Sequence, residues 1–204
     1  MAIELRKGSA IILEKKSNVS LGEIVVNLNW NQGGDGKKKS FFASLLKHEK
    51  GIDLDLGALY ELTNGQKGSV QALGNVFGNY RATPYISLDS DDRTGESTEG
   101  ENLRINGAMV ARIKRILVYT FIYEGVASWQ QVDGIVTIQY PDNEDIIVRM
   151  DEYGSAKKLC GIVLLANQHN ETFSIEKVVQ FYDDQLSLDR AFGWGMDWSI
   201  GRKD

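Results

Sequence analysis

Ile24-Val25-Val26-Asn27-Leu28-Asn29-Trp30 puts Ile24, Val26, Leu28 and Trp30 on one side of an extended chain and Val25, Asn27 and Asn29 on the other. A period of two with one apolar side is the pattern of a strand half buried against a core. Working outward, Ile52, Leu54 and Leu56 alternate with Asp53 and Asp55. The runs Ile116 to Tyr123, Gly134 to Tyr140, Ile146 to Met150, Gly161 to Ala166 and Thr172 to Phe181 then follow at short spacings. Asn64-Gly65, Pro141-Asp142-Asn143, Gly154-Ser155 and Asn167 to Asn170 supply turns between such runs. Many short strands without long helical patterns between them predict an all-β chain, an antiparallel two-sheet β-sandwich. Two short helices are expected, near Gly107 to Lys114 and at Asp183 to Phe192, the second after acids that suit a helix start. With no internal repeat and no linker composition, residues 1–204 read as a single domain.

Composition narrows the function classes. Lys and Arg total 23 against 28 Asp and Glu, a formal charge of −5, so a global basic footprint for nucleic acid is excluded. Apolar residues at 42% and charged residues at 25% are the proportions of a chain with a real core. No apolar run approaches the ~20 residues of a membrane-spanning helix, and the start has an early acid and no apolar signal core. The expected location is cytoplasmic. A single cysteine, Cys160, excludes an internal disulfide, and with only His48 and His169 beside it the chain has no zinc- or copper-type cluster. A metal here would be held through oxygen.

Gly33-Gly34-Asp35-Gly36-Lys37-Lys38-Lys39-Ser40 interrupts the strand pattern, and residues 32–51 read as an inserted Gly/Lys-rich loop. It is not a phosphate-binding loop, because Asn31 stands where the first glycine is required and Lys37 is too far from Ser40. Phe41, Phe42, Leu45 and Leu46 share one helical face, flanked by Lys37, Lys38, Lys39, Lys47 and Lys50. Such a basic amphipathic element suits weak contact with an anionic membrane surface or a partner through Lys37 to Lys50; the plainer alternative is an apolar face packed on its own domain.

The chemistry-bearing stretch is Asp89-Ser-Asp-Asp-Arg-Thr-Gly-Glu-Ser-Thr-Glu-Gly-Glu-Asn102, six acids in fourteen residues with no apolar side chain. Crowded carboxylates repel, and calcium accepts ~6–8 oxygens in loose geometry, so a flexible acidic turn suits it. An EF-hand is excluded, since Thr94 and Gly100 stand where glycine and the bidentate acid belong. Strand alternation puts Asp53 and Asp55 on one face, a like-charged pair that calls for a counter-ion. The alternative is a solvated acidic loop.

Ile52-Asp-Leu-Asp-Leu-Gly57, Asp91-Asp-Arg-Thr-Gly-Glu96 and Gly100-Glu-Asn-Leu-Arg-Ile105 together resemble the TerD-domain family of tellurium-resistance and stress proteins. Ala72-Leu-Gly-Asn75, Thr120-Phe-Ile-Tyr-Glu-Gly-Val126 and Ala191-Phe-Gly-Trp-Gly-Met-Asp-Trp198 are similar to its TerA branch in particular. The resemblance runs from Leu5 to Trp198. It implies a β-sandwich, Ca2+ held by the two acidic segments, a cytoplasmic location and no established catalytic reaction. It also implies association with other tellurium-resistance operon proteins, a membrane-embedded one among them. It carries the ligand role to Asp55, Asp91, Asp92, Glu99 and Glu101, with Asp53, Asp89 and Glu96 as further candidates and a backbone carbonyl near Arg93 or Thr94. Ser97-Thr98-Glu99-Gly100-Glu101 is shorter and less acidic than the matching TerD string, a departure that bears on a second ion.

No catalytic motif competes: the chain has no Gly-x-Ser-x-Gly elbow and neither histidine has a triad setting. His169 reads as a polar turn residue. Cys160 reads as a small core residue, with thiol chemistry as the alternative. Phe192, Trp194 and Trp198 read as a core cap closing the sandwich, with a ligand platform as the alternative. The leading expectation is a calcium-binding, non-enzymatic stress-response protein presenting an ion-dependent surface to partners. The alternative is an interaction scaffold whose acidic loop is structural and whose basic segment docks.

Overall fold

A computed structural model describes residues 2–15, 20–30, 53–89, 100–124, 129–150 and 156–198. The Gly/Lys-rich segment 32–51 lies outside the described residues. Among those described, thirteen strands follow in order: β1 (Ile3–Glu4), β2 (Ala10–Ile12), β3 (Glu23–Asn29), β4 (Asp53–Leu62), β5 (Lys67–Gln71), β6 (Gly78–Asn79), β7 (Ile86–Leu88), β8 (Glu101–Asn106), β9 (Ile113–Glu124), β10 (Ile135–Gln139), β11 (Ile146–Arg149), β12 (Leu159–Gln168) and β13 (Thr172–Tyr182). A 3-10 helix, Gly107–Arg112, lies between β8 and β9; α1 (Trp129–Val132) follows β9 and α2 (Gln185–Phe192) follows β13.

The strands form two sheets, ordered β1-β11-β10-β3-β8-β7-β6 and β2-β13-β12-β9-β4-β5. Every pairing is antiparallel except β1 with β11, where a two-residue edge strand runs parallel. Period-two patterning is the cause. Ile24, Val26 and Leu28 of β3, Leu103 and Ile105 of β8, and Val136 and Ile138 of β10 all turn inward and are fully buried. They meet Leu54, Leu56 and Ala58 of β4 and Ile116 and Val118 of β9 in one apolar core. Each large aliphatic side chain so buried contributes ~1.5–3 kcal/mol.

Helix positions follow local chemistry. Asp184 caps α2, accepting from Ser187 N while the Ser187 hydroxyl accepts from Asp184 N, and Gly193 ends the helix in the left-handed region at φ 61°. The helix expected near Gly107 is a kinked 3-10 turn instead. Asn106 accepts from Ala108 N at its start, and Met109 departs from helical geometry at φ −103°, ψ 18°. His169 occupies the β12–β13 turn with φ 57°, and Cys160 is fully buried in the core.

β4 is buried on both faces from Leu54 to Leu62. Its outer face meets a second apolar layer made of Leu59, Leu117, Tyr119, Phe121, Leu159, Tyr182, Leu188 and Trp194. The aromatic ending therefore covers the outside of the six-stranded sheet rather than closing the space between sheets. Trp194 is fully buried, its ring nitrogen donating to Tyr60 O at 3.0 Å and the Arg115 guanidinium stacked 3.8 Å from its ring. Asp189, buried on α2, accepts from Gly195 N, Met196 N and Trp198 Nε1 and so fixes the 194–198 tail.

Glu61, also on the outer face of β4, accepts from Lys114 Nζ at 2.7 Å and Arg115 Nε at 2.6 Å, and Arg115 donates onward to Phe192 O and Gly193 O at the end of α2. Burial, the largest influence, pushes the Glu61 carboxyl up, but the hydrogen bonds and charges of Lys114 and Arg115 together hold it below its ordinary value. A depressed folded-state value makes the contribution complete above the unfolded-state value of about 4.3 and lost as pH falls through the lower folded value. Glu61→Gln is therefore predicted to cost about 2 kcal/mol at pH 7. It should also lose less stability than the wild type on acidification below that range. Urea unfolding of both proteins at pH 7 and pH 3 measures the two effects.

Candidate metal centre

The expected ligands divide by position. Asp91, Asp92, Glu96 and Glu99 lie outside the described residues, while Asp53, Asp55, Asp89 and Glu101 are placed. The acidic stretch leaves the seven-stranded sheet after β7 and returns to it at β8, and its two roots are tied by a hydrogen bond from Asp89 N to Asn102 O at 2.9 Å. Gly100 makes the return, with φ 72° and its backbone so close to β3 that a Cβ there would fall 2.1 Å from the carbonyl oxygen of Leu28. Only a residue without Cβ fits there.

Glu101 opens β8 and, by alternation with Leu103 and Ile105, turns inward. Its carboxylate crosses to the other sheet and accepts from Leu56 N at 2.5 Å in a buried hydrogen bond. β4 needs that acceptor because β5 pairs it only from Gly57 to Glu61, leaving the stretch before Gly57 as an edge. The two acidic segments therefore meet. Asp55, next to Leu56, is fully buried, and Glu101 is 8% exposed. Asp55 sends its side chain to the outer face of β4 and Glu101 reaches the Leu56 amide from between the sheets, so two carboxylates are withdrawn from water beside one stretch of β4, which is costly for each unless it is compensated.

Around this pair the strand geometry is irregular. The register of β4 against β9 shifts between Asp53 and Leu54, where Asp53 faces Glu124 and Leu54 faces Ile122, so Tyr123 is the extra residue of a bulge. The extra residue is on β9, so the alternation of β4 itself is uninterrupted through Asp53 and Asp55. Bulges recur beside sites because they re-aim side chains. Thr120, opposite Leu56, is fully buried with no hydrogen-bond partner for its hydroxyl oxygen among the described residues.

Asp89 has a different setting. Both its oxygens accept from Arg104, Nε to Oδ1 at 2.8 Å and Nη2 to Oδ2 at 2.9 Å, on the outer face of the seven-stranded sheet. Arg104 Nη1 also donates to Glu23 at 2.9 Å. The hydrogen bonds it donates to Asp89 raise the guanidinium pKa above its ordinary value, burial opposes them, and the charges of Asp89 and Glu23 add to the rise. A carboxylate engaged at both oxygens in this fork has its geometry set by arginine. Alternation signals it in the sequence, since Arg104 shares a face with Asn102 and Asn106, away from Glu101.

The donor set at Asp53, Asp55 and Glu101 is entirely oxygen, which fits a hard cation such as calcium and does not fit zinc or copper. Among the described residues no group of three or more His, Cys, Asp or Glu side chains is arranged to hold an ion by itself. Further oxygens would have to come from the acidic stretch rooted at Asp89 and Gly100.

A β-sandwich carrying this arrangement defines a class: the chain belongs to the TerD domain family, whose model matches residues 1–187. Within that class it is 46% identical over 195 residues to the tellurium resistance protein TerA of an Alcaligenes species, covering 95% of this chain and 56% of that protein. The chain thus spans little more than half the length of this relative. Two solved structures share the fold. One is a protein of unknown function, SAV2460, with TM-score 0.58 and 12% identity over 89% of this chain and all of that one. The other is a homologue of the telluride resistance protein TerD from Streptomyces coelicolor A3(2), with TM-score 0.52 and 15% identity over 80% of this chain and 92% of that one. Among the described residues no helix is long and apolar enough to cross a membrane.

Gly100 is the most sensitive backbone point of the site. Gly100→Ala is predicted to destabilise the protein by about 2 kcal/mol or more, the sum of a left-handed backbone forced on alanine and a Cβ driven into Leu28 O. Gly65→Ala, at φ 87° in open space, carries only the backbone cost and is the control in thermal melts.

Proposed function

We propose that this protein is a calcium-binding, non-enzymatic member of a tellurium-resistance stress response, acting in the cytoplasm by presenting an ion-dependent surface to partners. The observation that carries this reading is the hydrogen bond that brings the Glu101 carboxylate, at the root of the acidic stretch, to the Leu56 amide beside the buried Asp55. A divalent cation bound there would draw on Asp91, Asp92, Glu96 and Glu99 of the acidic stretch as well. Asp53 and Asp55 from the strand side and Glu101 from the loop side would hold the ion, with backbone carbonyls and water completing a flexible shell. Asp89 serves in this scheme as the anchor of the loop root through Arg104. The tellurium-resistance context is supported by the relative named TerA. Partners from the same resistance system are proposed on the same ground.

A ligand that binds only the folded state stabilises it by ~2.7 kcal/mol at a hundredfold excess over Kd. For a chain of this size that is a rise in Tm of roughly 5–10 °C. Calcium is predicted to give this rise and magnesium much less, because magnesium demands a rigid octahedron and keeps its waters. Equal shifts from both ions would remove the selectivity, and no shift from either would return the acidic loop to a structural role.

Asp55→Asn and Glu101→Gln keep shape while removing charge. Each is predicted to weaken calcium binding about tenfold or more, which is about 1.4 kcal/mol per tenfold. Their effects on affinity should be non-additive, since both hold one ion. Isothermal titration of the single and double variants measures this, and an unchanged affinity in Asp55→Asn would exclude the strand from the site.

A further inference from the structure

β2 ends the order of the six-stranded sheet, so among the described strands only β13 pairs with it. The direction of its backbone groups follows from that pairing. Leu13 N donates to Phe173 O at 2.9 Å, and Ser9 O accepts from Lys177 N at 3.1 Å. Backbone groups of successive residues in an antiparallel ladder turn to opposite sides, so with Ser9, Ile11 and Leu13 turned to β13, Ala10 and Ile12 turn their N–H and C=O groups outward. Their side chains follow the same two-residue period. Ile11 packs against the core between the sheets, which leaves Ala10 and Ile12 on the outer face, both exposed. Ile12 is 57% exposed, more than any other large apolar side chain among the described residues. The other sheet ends are unlike this one. β1 is two residues long and its Glu4 is ion-paired with Arg149, β6 is Gly78–Asn79 with no apolar side chain, and the outward groups of Gln71 on β5 are closed by Val76. Ala10-Ile11-Ile12 carries none of the charges or prolines that keep exposed sheet edges apart.

We propose that β2 is the pairing surface for a second copy of this chain, the two edges joining antiparallel across a two-fold axis at Ile11 so that two six-stranded sheets become one. The register is set by the outward groups. With Ile11 on the axis, Ala10 stands opposite Ile12 of the second copy and exchanges both backbone hydrogen bonds with it, and Ile12 does the same with Ala10 of the second copy. Every outward N–H and C=O group of the two β2 strands is thereby satisfied, and on the outer face each Ile12 side chain covers the Ala10 beside it. Shifting the register by two residues either way loses this match. One shift sets Ile12 against Gly8, whose N already donates to Lys177 O; the other sets Ala10 against Glu14, whose O already accepts from Asn143 Nδ2. A one-residue slip sets the core face of one sheet beside the outer face of the other. The same patch on both partners closes at two copies, whereas pairing β2 with a different edge leaves an unpaired β2 for a third. A three-residue edge buries little area, so the dimer is a weak one that forms with concentration. The pairing involves neither the acidic loop nor a cation.

Sedimentation equilibrium of the full chain from micromolar to millimolar concentration, with hydrogen exchange at both ends of that range, tests the pairing. The mass is expected to rise from one chain to two. As it does, exchange of the Ala10 and Ile12 amides should slow in proportion to the fraction paired, because only the single chain leaves them open to water. Ala10→Pro removes an outward N–H that β13 does not use, and Ile12→Lys sets a like charge on each side of the axis; both leave the bonds to β13 in place. Each variant is expected to remain a single chain at every concentration and to keep the melting temperature of the dilute wild type. Val76→Lys, at an exposed apolar residue beyond the opposite end of the sheet, should dimerise like the wild type. A wild type that stays single throughout, with Ala10 and Ile12 exchanging at one rate, overturns the proposal. So does a dimer that survives Ile12→Lys, that is lost equally in Val76→Lys, or that leaves those two amides unprotected, since its contact then lies elsewhere.

Discussion

The hydrogen bond from Leu56 N to the Glu101 carboxylate is the contact on which the described site turns. β4 enters the six-stranded sheet before β5 is long enough to pair it, so a stretch of backbone inside an apolar sandwich has to find an acceptor elsewhere. Leaving such a donor unsatisfied costs ~1–3 kcal/mol. A carboxylate from the opposing sheet supplies the acceptor, and in doing so it brings the acidic stretch to the foot of a strand that already carries Asp53 and Asp55. Structural need and concentration of negative charge coincide at one place.

Burial of β4 on both faces sets the rest. The inner face is the ordinary core of a sandwich, but the outer face would be exposed without α2 and the 194–198 tail. Three polar fixings hold that cover: Glu61 with Lys114 and Arg115, Arg115 with the end of α2 and the face of Trp194, and Asp189 with the tail. The same cover packs over Tyr119, which is fully buried. The other acids are used differently. Asp89 and Glu23 share Arg104 on the opposite outer face, where solvent is near and an arginine fork fixes geometry more than it adds stability.

Much of this was legible in the chain. The alternation of β3 and β4 and the β-rich runs of β9 to β13 forecast the sandwich, because a half-buried strand must repeat every two residues. The acids before α2 announce its cap. β5, β6 and β7 were not legible: Lys67 to Gln71 and Gly78 to Asn79 have no apolar alternation, since these short strands at the sheet edge draw their stability from pairing. The helix at Gly107 was foreseen as a place but not as a 3-10 turn, a distinction set by how Asn106 and Ile113 cap it.

At the site, the sequence alone determined the residue types: oxygen donors in two segments, a glycine at the loop's return, and no nitrogen or sulfur cluster to compete. Tertiary structure decided what each acid does. Asp89 and Glu101 are twelve residues apart in one acidic run, yet one is clasped by Arg104 outside one sheet and the other crosses the core to a backbone amide of the opposite sheet. Tyr119 and Gln71 looked like ordinary strand residues until the register placed Gly57 between them, whose missing side chain lets the Tyr119 phenol donate to Gln71 Oε1. The physical reason is common to all three. Composition and period are local properties that a linear chain displays, whereas which face a charge shares and which side chain fills a neighbour's gap depend on pairings between strands tens of residues apart.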